Sequence, residues 1–194
     1  MPALVTDELW EAIAPHLPDH PADPKGGRPR VPDRRALAGI LFVLREGLRW
    51  QSLPAEMGCG SGSTCWRRFA EWTAAGVWEE AHADLLAAGL PRPDALQADR
   101  GYGFPWTIEL VRAWGMRPVI APRGSPHGSG LGRTRYVVER THAWFSRFRR
   151  LVQCYERRPE HAQGFHSLAA CVICARRLRA ARPVRGRPAV ALAA

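Results

Sequence analysis

The chain has 194 residues, 46% of them apolar, with 28 Lys+Arg against 18 Asp+Glu and a formal net charge of +10. Such a chain can bury a core as one domain or two small ones, which excludes disorder throughout, and no run of about 18 apolar residues is present to cross a membrane. The charge is unevenly placed: residues 1–99 hold 10 basic and 14 acidic side chains, net −4, whereas residues 100–194 hold 18 and 4, net +14, so the second half is the candidate polyanion binder.

Nearly every base is arginine, Lys25 being the sole lysine. The guanidinium fork suits bidentate phosphate contact, although a GC-rich genome also enriches Arg, so position carries more weight than count. Five cysteines, an odd number, and no charged-then-apolar leader fit a reducing, cytoplasmic setting rather than a disulfide scaffold. Cys171 and Cys174 form a C-x2-C pair within an apolar helical pattern, and Cys59 and Cys65 lie six apart without a nearby His. All five read as core or incidental thiols, with zinc a second reading.

Thr6 is placed to cap a short helix carrying Leu9, Trp10, Ile13 and Leu17, closed by Pro18. Residues 18–32 are dense in Pro and Gly and predict a loop, with Lys25, Arg28 and Arg30 as a small basic arm. A second helix is expected from Asp33 to about Arg49, with Leu37, Ile40, Leu41, Leu44 and Leu48 on one side. A short helical SLPAEMG piece, a glycine turn from Gly58 to Gly62 and a longer helix from about Ser63 follow. That order outlines a helix-turn-helix in which Arg67 and Arg68 would face DNA. Packing of Trp66, Phe69 and Trp72 as core would explain the same pattern without DNA. A further helix, Trp78 to Ala88, ends at Gly89.

Pro91 to Pro93 marks a seam, dividing the chain into 1–90, a helical domain, 91–180, a second domain, and 181–194, a Pro/Arg-rich tail expected to be disordered. Beyond the seam the pattern predicts a strand at Ala95–Asp99, a helix at Pro105–Trp114 and a strand at Arg117–Ala121. In an open parallel sheet function collects where strands end, which is where Asp99 falls. The segment 128–151 then predicts a helix with its apolar side inward and a single acid, Glu139, among many arginines. Arg135 and Glu139 are four apart, so Glu139 is either an ion-pair partner or a carboxylate aimed at a divalent cation beside Asp99.

Some residues carry two readings. His127 lies in a Gly/Ser/Pro loop, either solvated or touching phosphate, and Trp106, Trp114, Trp144 and Phe145 are core residues or base-stacking platforms. Tyr155 with Arg157 and Arg158 reads as a backbone clamp. The last helix, Glu160 to about Ala181, carries Phe165, Leu168, Val172, Ile173 and Leu178 and ends in Arg176, Arg177 and Arg179, which suit its dipole.

ADRGY at 98–102, RPVIAPRGSPHGSGLGR at 117–133, YVVERTHAWFSRFRRL at 136–151 and YERR at 155–158 resemble the C-terminal half of bacterial insertion-sequence transposases of the DDE type. LRWQSLPAEMG and RRFAEWTAAGVWE resemble that family's N-terminal domain, so the likeness covers most of residues 5–180. The fold it implies is mixed and mostly α: a helix-turn-helix-like N-terminal domain followed by a truncated α/β ribonuclease-H-like catalytic domain. It implies DNA cleavage and rejoining at the terminal inverted repeats of a mobile element, by a homo-oligomer using Mg²⁺ or Mn²⁺.

Asp99 matches the family's second Asp and Glu139 its Glu, as catalytic and metal residues, and Arg135 matches the arginine before that Glu. The expected DNA-binding set is Arg100, Arg123, Arg133, Arg135, Arg140, Arg147, Arg149, Arg150, Arg157 and Arg158, with Arg67 and Arg68 from the N-terminal domain. No residue matches the first Asp, since Asp84 and Asp94 lie outside strand patterns. An internal deletion is the simplest account. The alternative is a noncatalytic DNA-binding remnant or transposition inhibitor.

Overall fold

A computed structural model of the chain describes residues 4–20, 29–89, 93–124 and 136–181. Chain contacts divide it into two units, one of residues 1–90 with 147–194 and one of residues 91–146.

The first unit is helical. α1 (Asp7–Ile13) starts where Thr6 Oγ1 accepts the Leu9 N–H at 3.4 Å, the expected cap, and buries Leu9 and Ile13. α2 (Asp33–Glu46) buries Leu37, Ile40, Leu41 and Leu44. It ends earlier than about Arg49 because Gly47 takes a left-handed conformation and its N–H bonds the Val43 carbonyl at 2.9 Å. SLPAEMG forms only a 3₁₀ turn at Ala55–Met57, not the α-helical first arm of a helix-turn-helix. α3 (Gly62–Ala74) is capped by Ser61 and buries Phe69 and Trp72, while Trp66 is 40% exposed and is not core.

α4 (Val77–Ala87) follows immediately, and its main packing partner is α8 (Pro159–Ala181), at the far end of the chain. Phe165 of α8 stacks on Phe69 at 4.1 Å between ring centroids, Phe69 stacks on Trp78, and Trp50 lies 5.9 Å from both Phe165 and Phe69. Gly164 makes this approach feasible, since a Cβ there would lie 2.7 Å from Thr73 Oγ1. Cys171 sits in the same core, donating to the Trp78 carbonyl at 3.3 Å, and burial pushes its thiol pKa up to about 12. The second cysteine pair, Cys59 and Cys65, is also fully buried. The last part of the chain thus completes the helical unit, which differs from a linear division at the seam. The expected 91–180 domain is split at Ser146.

The second unit is a strand–helix–strand element. β1 (Ala95–Gln97) pairs in parallel with β2 (Arg117–Val119), Ala95 opposite Arg117 and Gln97 opposite Val119. α5 (Pro105–Ala113) connects them and packs on β2, burying Val111, while Ile120 and Ala121 are buried beyond the strand. Trp106 and Trp114, read as core or stacking residues, are 66% and 50% exposed. α6 (Tyr136–Phe145) buries no residue, in contrast to its predicted inward apolar side. Val137, Val138, Trp144 and Phe145 are only half-buried. The described sheet has two strands, one parallel pair, and no larger ribonuclease-H-like sheet is formed among the described residues.

Candidate functional site

Two chemistry-bearing residues of the second unit, Asp99 and Arg123, lie just beyond the carboxyl ends of β1 and β2. Directly after β1, Asp99 caps a 3₁₀ turn, Arg100–Tyr102, its Oδ1 accepting the Arg100 N–H at 2.6 Å. The carboxylate remains exposed. The turn is held in place by Gly103: a Cβ there would lie 2.1 Å from the Ala121 carbonyl oxygen, and the Gly103 carbonyl accepts the Arg123 N–H at 3.2 Å. The loop after β1 is thereby stitched to the chain after β2.

Arg123 belongs to the same edge, its guanidinium 4.3 Å from the Phe104 ring centroid, and Phe104 in turn stacks on Trp106. An exposed carboxylate and an exposed, ring-supported guanidinium therefore share one end of a parallel pair, a place suited to binding a cation or a phosphate ester. Gly103 and Phe104 were not singled out by sequence reasoning. The glycine that follows ADRGY was the available signal, but its partner, Ala121, is far along the chain.

Glu139 is exposed on α6, where Arg140 lies over Trp144 at 5.3 Å and over Tyr136 at 5.8 Å. Arg133 and Arg135, and with them the pairing of Arg135 with Glu139, lie outside the described residues, as does His127. A divalent cation of the Mg²⁺ type takes six oxygen ligands, several of them from water, and a paired site needs at least three carboxylates. Among the described residues no three of His, Cys, Asp or Glu are grouped to hold a metal. Asp99 and Glu139 supply the right donor chemistry but do not by themselves fit a two-metal centre.

In the helical unit the expected DNA-facing arginines divide sharply by burial. Arg67 is exposed, but Arg68 is 4% exposed. Its Nη1 donates to Asp33 and its Nη2 to the Val31 carbonyl at 3.2 Å, tying α3 to the start of α2. Burial lowers its pKa and the Asp33 carboxylate opposes that shift. Arg150 is 3% exposed, donating Nε to Glu156 at 2.9 Å and Nη1 to the Leu48 carbonyl at 2.7 Å. Both are structural cations unavailable to a phosphate backbone, because their donors are consumed inside the fold. Arg147, Arg149, Arg157 and Arg158 are exposed, and Tyr155 lies against Arg150 at 4.8 Å rather than standing apart as a clamp.

Residues 5–82, the stretch from before α1 into α4, match the family described as putative transposase of IS4/5 family. The chain is also 54% identical over 125 residues, 61% of its length, to the insertion element IS402 uncharacterized 16.2 kDa protein of Burkholderia cepacia, and spans 83% of that protein. This chain belongs to the family of the IS402 insertion-element 16.2 kDa protein. It is similar as well to the putative transposase for insertion sequence element IS402 of the same organism, 49% identical over 92 residues, 47% of this chain and 44% of that one. No solved structure matches the chain. The family match ends within α4, so the helix that closes the core, α8, lies beyond the matched residues. Among the described residues no helix is long and apolar enough to cross a membrane.

Proposed function

We propose that this transposase-family protein acts on DNA at the terminal inverted repeats of an insertion element, as a DDE-type, ribonuclease-H-like enzyme by descent. In this reading Asp99 and Glu139 are two carboxylates of a Mg²⁺ or Mn²⁺ site for strand cleavage and transfer, with Arg123, Arg133, Arg135 and Arg140 holding the phosphodiester beside them. The observation that carries it is Asp99 standing exposed beyond the carboxyl end of β1, at the same end of the parallel pair as Arg123, in a chain 54% identical over 125 residues to an insertion-element protein. Loss of an internal segment accounts for a two-stranded sheet and for the missing first Asp, and a third carboxylate would have to be a different acid, supplied by this chain or by a second copy.

A second reading is favoured by one observation, that among the described residues no three metal-ligating side chains are grouped: a DNA-binding remnant that competes for element ends without cutting them. The two are separated by incubating the purified full chain with DNA carrying the element's own ends in Mg²⁺ or Mn²⁺. Nicking that disappears in Asp99→Asn and in Glu139→Ala is the expected result of the enzyme reading. Salt-sensitive binding with no cleavage in either metal would sink it and leave the remnant.

A further inference from the structure

A second concentration of arginine lies in the helical unit. Arg45 at the end of α2, Arg147 just before α7 (Arg149–Val152), and Arg176 and Arg179 on α8 rim one cavity of about 500 Å³ whose lining, among the described residues, includes Phe148 and Val172 and no acidic residue. Three separate chain segments bring these four cations together. Last-turn placement accounts for Arg45 and Arg179, which sit where the helix dipole favours cations. It does not account for Arg147 or Arg176. Arg45 is partly offset by Glu46 at 3.2 Å, but among the described residues Arg147, Arg176 and Arg179 make no ion pair.

Like charges gathered without a counter-charge cost free energy unless an anion joins them. Consistent with that, burial lowers the Arg176 pKa and the neighbouring Arg45 and Arg147 lower it further. The larger groove of this unit, of about 1010 Å³ and lined by Arg30, Arg67 and Arg68, does not show the same imbalance. Arg30 is paired with Glu71 and Arg68 with Asp33.

We propose that the Arg45, Arg147, Arg176 and Arg179 cavity is a phosphate-binding site, separate from the Asp99 edge. Four guanidinium groups lining one cavity suit the tetrahedral oxygens of a phosphate, and Phe148 and Val172 add apolar lining beside them. The same chemistry serves a free phosphate or a phosphodiester of DNA, and the two sources are distinguished by the test.

The test uses the full chain and the double variant Arg176→Gln/Arg179→Gln, with Arg112→Gln/Arg117→Gln as a charge-matched control in the other unit. Both replaced side chains of the test variant are exposed and their removal relieves repulsion, so its melting temperature in chloride should be equal to or above that of wild type and establish that it folds. Pyrophosphate at about tenfold its Kd should raise the wild-type Tm by roughly 3–6 °C over chloride at equal ionic strength. The control should keep that rise and the test variant lose it. If duplex DNA binding by the test variant also weakens, with its salt slope reduced by about 1.8, the phosphate is a DNA phosphodiester. If duplex binding is unchanged while the pyrophosphate response is lost, the source is a free phosphate. No pyrophosphate-specific stabilisation in wild type, or one retained by the test variant, overturns the site. Neither result depends on metal-dependent cleavage, so failure of the enzyme reading remains a separate outcome.

Discussion

Arg68 and Arg150 have the same side chain as Arg67 and Arg149 beside them, yet they do different work. Arg150 is enclosed by the Tyr155, Phe165 and Trp50 rings and bonded to Glu156, whose side chain is only 8% exposed. Removing one member of such a pair leaves the other as an uncompensated buried charge, whereas removing both need not destabilise. Arg150→Met should therefore lower stability by about 3–5 kcal/mol in a urea melt, and Arg150→Met/Glu156→Leu should recover much of that loss. An Arg150→Met protein with an unchanged midpoint would show that the pair is not buried in solution. Arg157→Ala, at an exposed position, should stay within about 0.5 kcal/mol of wild type. The sequence presents Arg67 and Arg68, and likewise Arg149 and Arg150, as like neighbours, because burial is not written in the identity of an arginine.

At the scale of elements, the candidate site depends on a small parallel pair and the turn that follows it. The order strand, helix, strand was legible from the apolar runs at Ala95 and Arg117 and from Pro105 opening α5. What fixes Asp99 is less visible: Gly103 lies against the backbone beyond β2, and its carbonyl accepts the Arg123 N–H, joining the two loops. Gly103→Ala forces its Cβ into a carbonyl oxygen that cannot rotate away, and should cost about 1–3 kcal/mol in the second unit. Amide exchange at Arg123, whose N–H bonds the Gly103 carbonyl, should accelerate in that variant. Unaltered exchange there would mean that the loops are not coupled. α6 presents a different case, since ten residues without a buried side chain form a helix near the lower limit of intrinsic stability. Its periodicity was readable, but the periodicity carried no information about what it packs on.

At the scale of the whole molecule, the helical unit is discontinuous, with α8 returning to α4 across the intervening unit of the sequence. Phe165 and Leu168 are essentially fully buried, each worth roughly 1.5–3 kcal/mol relative to exposure, against a total stability of about 5–15 kcal/mol for a domain. A fragment of residues 1–90 should consequently lack a cooperative unfolding transition and a near-ultraviolet aromatic signal, while the full chain shows both. A sharp, reversible transition in the fragment would show that α8 is an accessory rather than part of the core.

The sequence by itself determined the local elements and the charge asymmetry. Thr6 caps α1, and the helices of residues 33–46, 62–74, 77–87 and 159–181 follow from apolar spacing. Its motifs also placed the chain among insertion-sequence transposases, which the IS402 relatives bear out. Only the tertiary structure decided which arginines are structural, that α8 belongs with α1 to α4, and that four other arginines rim one cavity. The physical reason is distance along the chain. Periodicity and capping act over a few residues, whereas Arg68 finds Asp33 across 35 positions and Arg150 finds the Leu48 carbonyl across 102. Whether a charge meets water, a carboxylate or another charge is settled by those remote segments closing over it.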